Sequence, residues 1–189
     1  GAVVGFLVAI KNAYPLERHA TVLALIASSL VLSVVGVQLG SVASVPPIHN
    51  ISTDIADPPQ FRELVGQRVE SGANPLVYDS EVLGPQQQAA YPWITTKTLN
   101  GTINDRAKEA AEIVENMGME LVSLDLVDGV IEATDTTFWF GFKDDVVIRL
   151  RSTEASKVQV DIRSVSRVGQ SDLGVNARRI TEILAEFKN

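Results

Sequence analysis

The stretch DDVVIRLR, residues 144–151, alternates apolar and charged side chains in the manner of a half-buried β-strand. Successive side chains of a strand point to opposite faces, so Val146, Ile148 and Leu150 share one face. The other face carries Asp145, Val147, Arg149 and Arg151. One face of this strand therefore suits an apolar core, and the other carries charge.

The stretch KVQVDIRSVSR, residues 157–167, repeats this division, with Gln159, Asp161, Arg163 and Arg167 on its charged face. If the two strands pair as a hairpin, their charged faces coincide. Guanidinium groups match carboxylates and phosphates in shape, so this face is a candidate patch for an anion or a partner. The candidate residues are Arg149, Arg151, Asp161, Arg163, Arg167 and Asp145. A network of cross-strand ion pairs that only stabilises the sheet is the alternative.

Two further strands and two helices surround this hairpin in the sequence. Short connections between consecutive strands require antiparallel pairing, so we predict an α+β fold: a four-stranded antiparallel sheet with two helices on one face. The strands are expected at 119–127, 129–140, 144–151 and 157–167, and the helices at 102–117 and 172–188. This α+β core covers residues 102–189, and residues 46–101 are expected to form an extended and irregular leader.

The aromatic stretch FWFGF, residues 138–142, reads most simply as part of the core, with Gly141 at a bend. A second reading gives Trp139 a ligand-stacking role. Tyr91 and Trp93 would contribute to the same cavity, between the sheet and residues 66–92.

The N-terminal part of the chain reads as a membrane segment, residues 1–45. Residues 20–45 contain no charged side chain and are long enough to cross a bilayer, so we predict a transmembrane helix there. Residues 1–10 would be the tail of an earlier span. Lys11 and Arg18 would hold the loop 11–19 in the cytoplasm, which places the large domain on the periplasmic side of the inner membrane.

Composition narrows the possible functions. The formal net charge of −7 disfavours nucleic acid as a partner, since such binding relies on Lys and Arg. The absence of cysteine excludes disulfides, thiol chemistry and iron–sulfur sites. No cofactor and no metal are predicted.

Catalytic motifs are weak. His49, Ser52 and Asp54 lie close together in the sequence HNISTD, but a triad is defined by its geometry and not by such spacing. No phosphate-binding loop and no nucleophile elbow is present. We therefore do not expect an enzyme.

Four motifs, in this order, are similar to the family catalogued as domain of unknown function 1499. They are HNISTDIADPPQF, AYPWI, IEATDTTFWFGFKDDVVIRLR and VDIRSVSRVGQSDLGVNARRI, and the resemblance extends over about Ile48 to Phe187. It implies a domain that often follows membrane spans, and it implies no activity. The residues that match the family's recurrent pattern are Thr53, Asp54, Tyr91, Pro92, Thr134, Gly141, Phe142, Asp144, Asp145, Arg149, Arg163, Ser164, Ser166, Arg167, Asp172, Gly174 and Asn176.

Binding fits these observations better than catalysis. The leading expectation is a membrane-anchored accessory domain outside the cytoplasm that binds another subunit of a membrane complex. The alternative is a binding or carrier domain for a lipid or a small anionic ligand. A hydrolase using His49 or Asp54 comes third.

Overall fold

A computed structural model of the chain describes residues 15–43, 46–138, 140–154 and 156–188. The chain divides into two compact units, Gly1–Ser44 and Val45–Asn189. In the first unit, helix α1 spans Pro15–Ala43. Among the described residues, no helix is both long enough and apolar enough to cross a membrane, so the predicted transmembrane helix at 20–45 is wrong. The predicted tail of an earlier span, residues 1–10, lies outside the described residues.

The second unit is built on an antiparallel sheet of six strands, not four as predicted. Its strands are β1 Asn50–Ser52, β2 Lys97–Asn100, β3 Glu120–Asp125, β4 Val130–Thr136, β5 Lys143–Glu154 and β6 Lys157–Ser166. The order is β1–β6–β5–β4–β3, and β2 also pairs with β6. The two strands missed by the prediction are three and four residues long, too short to show an alternating pattern.

Four helices accompany the sheet: α2 Leu64–Glu70, α3 Ser80–Ala90, α4 Ile103–Asn116 and α5 Val175–Glu186. The segment 46–101, expected to be irregular, thus holds β1, α2, α3 and β2. The side chain of Asp79 caps α3 by accepting hydrogen bonds from the N–H groups of Glu81 and Val82. Such local caps form helices without a long apolar periodicity, which is why the sequence pattern did not show α3.

The main core lies between the sheet and helices α4 and α5. Val146, Ile148 and Leu150 of β5 are buried there, as the alternation of DDVVIRLR indicates. From α4, Ala107, Ala110 and Val114 join this core, and from α5, Ala177, Ile180 and Ile183. This face of the sheet is apolar along most of its length.

The opposite face of the sheet is covered by residues 53–79, called here the covering segment. Its residues Phe61 and Leu64 pack on Val130, Val147 and Val165 in a small second core. Helix α2 lies within this segment. The charged residues predicted from the alternation therefore lie beneath a second layer of chain and not on an open surface.

Candidate functional site

Asp145 lies at the centre of the first charged cluster and is fully buried. Its carboxylate accepts hydrogen bonds from Arg68 Nη1 at 2.5 Å and from Arg167 Nε and Nη2 at 2.9 Å each. Thr134 Oγ1 donates a further bond at 2.8 Å. Two guanidinium groups share one carboxylate, so this cluster has a net charge of +1.

Arg163 is also fully buried, and it has no carboxylate partner among the described residues. Its Nε donates to Asn50 Oδ1 at 3.0 Å, and its Nη1 donates to the carbonyl of Pro59 at 3.1 Å. Nη2 donates to the carbonyl of Leu76. Neutral oxygens thus satisfy this guanidinium group, two of them from the covering segment.

Two aromatic rings of the covering segment flank the same guanidinium group. The Arg163 Cζ atom lies 5.7 Å from the Phe61 ring centroid and 5.9 Å from that of Tyr78. Burial, together with the nearby charge of Arg68, lowers the pKa of Arg163 to about 10, so it remains charged at neutral pH. Burial raises the pKa of Tyr78 to about 12, although the charge of Arg163 opposes this shift.

Glu132 of β4 is a fully buried carboxylate that binds the backbone of the covering segment. It accepts hydrogen bonds from the N–H groups of Arg62 at 2.5 Å, Glu63 at 3.1 Å and Leu64 at 2.9 Å. These N–H groups stand where α2 begins and have no partner within the helix. Glu132 therefore fixes the start of α2 on the sheet.

A third cluster joins Arg149 and Arg151 of β5 to three aspartates. Asp161 is fully buried and lies 2.8 Å from Arg151 Nη2. Asp54 and Asp57 of the covering segment lie about as close, with Asp54 at 3.1 Å from Arg149 and 3.0 Å from Arg151. Partial burial would raise the pKa of Asp54, but hydrogen bonds from backbone N–H groups and from Arg151 outweigh it and lower the pKa.

The six residues predicted from alternation therefore lie on one sheet face, and each has partners within the chain. Sequence reasoning missed the groups that the covering segment supplies to them. Among these, Arg68 lies 77 positions before Asp145, and Asp54 lies 97 positions before Arg151. No local pattern connects residues so far apart. The HNISTD motif and the family resemblance singled out Asp54, but neither indicated that it binds these arginines.

The residues of HNISTD do not form a triad. His49 Nδ1 lies 3.4 Å from the carbonyl of Gln170, and Ser52 Oγ donates to the backbone carbonyl of Asp54 at 2.8 Å. The carboxylate of Asp54 instead binds Arg149 and Arg151, as described above. Within the described part of the chain, no group of three or more His, Asp or Glu side chains is placed to hold a metal ion.

Tyr91 and Trp93 border an open depression of about 400 Å³ beside α5. Their ring centroids are 5.9 Å apart with nearly perpendicular planes, and Trp93 is 60% exposed. The Tyr91 hydroxyl is buried without a hydrogen-bond partner among the described residues, and burial raises its pKa. Trp139, the other predicted stacking residue, lies outside the described residues.

The three phenylalanines of the aromatic stretch after β4 are exposed, so the prediction that they belong to the core is wrong. Phe138 is 89% exposed, Phe140 77% and Phe142 52%. The rings of Phe140 and Phe142 stack with centroids 5.6 Å apart and planes 18° apart. We call Phe138, Phe140 and Phe142 the aromatic tip, because they lie on the turn that joins β4 to β5.

The backbone of this turn is held by Thr137. Its N–H donates to the carbonyl of Phe142, and its hydroxyl accepts from the N–H of Phe142, both at 2.9 Å. The N–H of Gly141 donates to the carbonyl of Thr137 at 2.9 Å, and Gly141 has φ +63°, a conformation that favours glycine. The aromatic tip therefore lies at the end of the β4–β5 hairpin, on a turn held by its own hydrogen bonds.

Comparison with protein families found one match, to a family model described as "Protein of unknown function (DUF1499)", over residues 50–187. The matched region contains the whole sheet, the covering segment and the aromatic tip. A comparison with curated proteins found no match. The family match confirms the resemblance seen in the sequence.

Proposed function

The chain belongs to DUF1499, a protein family of unknown function, and we propose that its folded domain docks on a partner protein through the aromatic tip. In this role the domain is an interaction module and not an enzyme. The expected place in a membrane complex and the expected periplasmic localisation stay predictions, and docking through the tip does not depend on them.

The observation that carries this proposal is the exposure of stacked aromatic rings on a hydrogen-bonded turn. Phe140 and Phe142 leave much apolar surface in water, and burying such surface is the main favourable term in association. Thr137 fixes the turn, so little conformational freedom is lost when a partner binds. The charged face offers no comparable surface, since its arginines already bind groups of this chain.

Charge indicates the chemistry of the partner. Lys143 follows the aromatic tip and forms no ion pair with a described residue, which favours an acidic group beside the apolar contact. The chain as a whole carries a net charge of −7, so long-range repulsion opposes an anionic lipid surface even though Lys143 lies beside the tip. We therefore propose a protein with an apolar cleft that has acidic residues at its border.

The proposal is tested by placing a photo-cross-linking amino acid at position 140 in the full chain, in cells of its source. Val127, which is 90% exposed on the turn between β3 and β4, is the matched control position. We expect a discrete protein cross-link from position 140 and none of the same mass from position 127. Cross-links to lipid alone, or equal products at both positions, would contradict docking of a protein at the tip.

The cross-linked protein is then purified and its affinity for the chain is measured directly. The double variant Phe140→Ser with Phe142→Ser should weaken binding at least about 30-fold, as expected for a pair of central aromatic contacts. Lys143→Glu should weaken it further at low salt, whereas Val127→Ser should leave it unchanged. Unchanged affinity of the double variant would place the interface elsewhere.

A further inference from the structure

We propose that a small depression beside the aromatic tip binds a medium-chain carboxylate. The depression measures about 280 Å³, which is enough for a carboxylate group with an apolar chain of several carbons. Its walls include Arg167, Lys143, Phe142, Val168 and Ala73. This site goes beyond the proposed docking function, because it needs no partner protein.

A guanidinium nitrogen supplies the first attraction for an anion. Arg167 is 8% exposed, and its Nε and Nη2 bind Asp145. The hydrogen bonds that Arg167 makes to described residues use Nε and Nη2 and none uses Nη1, and the side chain borders the depression. An oxyanion placed there would complete the hydrogen bonding of this side chain.

The local charge also favours an anion. Asp145 is shared by Arg68 and Arg167, which leaves one positive charge in excess in a buried cluster, where water screens it poorly. Lys143 adds a second positive charge on the same sheet face. Glu70, at the end of α2, is exposed, so water and salt screen its opposing charge.

Charged groups on the opposite face of the sheet reduce the net positive charge near the depression but do not cancel it. Asp144 and Asp135 both bind Arg179, at 2.8 Å and 2.6 Å. This group has one net negative charge, against two net positive charges at the depression. The remaining positive charge is specific to this end of the sheet, since the chain as a whole is acidic.

The other walls of the depression are apolar. Phe142 and Val168 are each 52% exposed, and their side chains can cover a few methylene groups of a ligand. Gly141 leaves the entrance unobstructed, since a side chain there would meet nothing within 4 Å. A cationic end and an apolar wall together fit an amphiphilic carboxylate better than inorganic phosphate or an alcohol.

The test is a titration of the full chain with octanoate, with octanol and inorganic phosphate as matched probes. Binding is followed by calorimetry and by the NMR shifts of backbone amides. We expect saturable binding of octanoate, with shifts at Ala73, Gly141 and Val168, and weaker binding of both other probes. Octanol binding as tightly as octanoate would overturn the proposal, as would shifts centred on the depression at Tyr91 and Trp93. Phosphate equal to octanoate would indicate an adventitious anion site and would overturn it too.

Variants decide which residues bind the carboxylate. Lys143→Gln should weaken octanoate about tenfold, the effect expected for loss of one charge-assisted contact. Val168→Asp should abolish binding. Val168 is 52% exposed and Lys143 is half-buried, so neither side chain belongs to the core. Lys108→Gln, an exposed lysine on α4, is the control and should change nothing. Equal affinities of the Lys143 and Lys108 variants would overturn the assignment. These measurements contain no partner protein, so their failure leaves the docking proposal intact.

Discussion

The hairpin of β4 and β5 buries two carboxylates in its strands and exposes two phenylalanine rings in its turn. Glu132 and Asp145 are fully buried in these strands, whereas Phe138 and Phe140, in the turn between them, are 89% and 77% exposed. Polarity alone would predict the reverse. In this hairpin, the strands bury charged side chains and the turn exposes aromatic ones.

The difference comes from what lies above each region. The covering segment supplies Arg68 to Asp145 and backbone N–H groups to Glu132, so the buried charges have partners. In the turn, Phe138 and Phe140 have no such covering layer and stay in water whatever their hydrophobicity. On the sheet face under the covering segment, charged side chains are buried because distant parts of the chain supply their partners. The hydrophobic pattern is a sufficient guide to burial only on the face covered by α4 and α5.

The largest expected effect is at the centre of the buried charges. Asp145→Asn leaves Arg68 and Arg167 without a carboxylate, and removal of one partner from a buried ion pair costs about 3 to 5 kcal/mol in free energy of unfolding. Urea unfolding followed by circular dichroism measures it. Asp125→Asn, which breaks the exposed pair with Arg62, should leave the urea midpoint unchanged. Similar midpoints for the two variants would show that the buried carboxylate contributes no more to stability than the exposed one.

Glu132→Gln should be the next most damaging change. The amide keeps one acceptor oxygen, but its NH₂ group then faces a backbone donor, and charge-assisted bonds to the start of α2 are lost. We expect a loss of about 2 to 3 kcal/mol in free energy of unfolding, measured in urea. Glu63→Gln, an exposed carboxylate of the same segment, is the control. Equal stability of both variants would mean that Glu132 does not hold α2.

A smaller, pH-dependent effect is expected at Asp54. Its pKa is lowered in the folded protein, so its ion pairs contribute stability above the unfolded value near 3.8 and lose it as pH falls through the folded value. Asp54→Asn should therefore be less stable than the wild type at pH 7, and the difference should shrink as pH falls below 3.8. Urea midpoints measured over this pH range follow the change. A difference that stays constant with pH would rule out the ionic contribution.

The smallest effect is expected at the aromatic tip. Phe140→Ala should change the free energy of unfolding by no more than about 0.5 kcal/mol, because the ring is exposed. Phe61→Ala, in the small core under the covering segment, should instead cost about 3 to 5 kcal/mol. Urea unfolding of both variants measures the difference in stability between the exposed and the buried phenylalanine. A large loss for Phe140→Ala would show that the tip serves the fold and not a partner.

Local pattern in the sequence was enough for the strands β3 to β6 and for helices α4 and α5. In each of them a period of two or of about 3.6 residues repeats often enough to be seen. The two-residue alternation of β5 and β6 also placed Asp145, Arg149, Asp161 and Arg163 on one face of the sheet. Pattern could not show whether that face is open, since Asn50, Pro59 and Leu76, which bind Arg163, come from distant parts of the chain.

The aromatic stretch was misread for a related reason. A buried strand and an exposed turn can share the letters FWFGF, and only the hydrogen bonds of Thr137 and the positive φ of Gly141 separate them. The short strands β1 and β2 escaped because each is formed by its partner β6 and not by its own sequence. In all three cases, the aromatic turn and the strands β1 and β2, contacts with distant residues determine the local structure.

The hydrogen bond between Asn50 and Arg163 joins residues 113 positions apart, and this separation sets an order of events during synthesis. At 5 to 20 residues per second, Asn50 is made about 6 to 23 s before Arg163. During that interval β6 is not yet available to β1 and β5, and the partners of Asp161, Arg163 and Arg167 stay hydrated. The clusters that contain these three residues are therefore completed only once β6 and the residue after it have emerged, and a chain truncated before β6 would expose unpaired charges and apolar side chains to quality control.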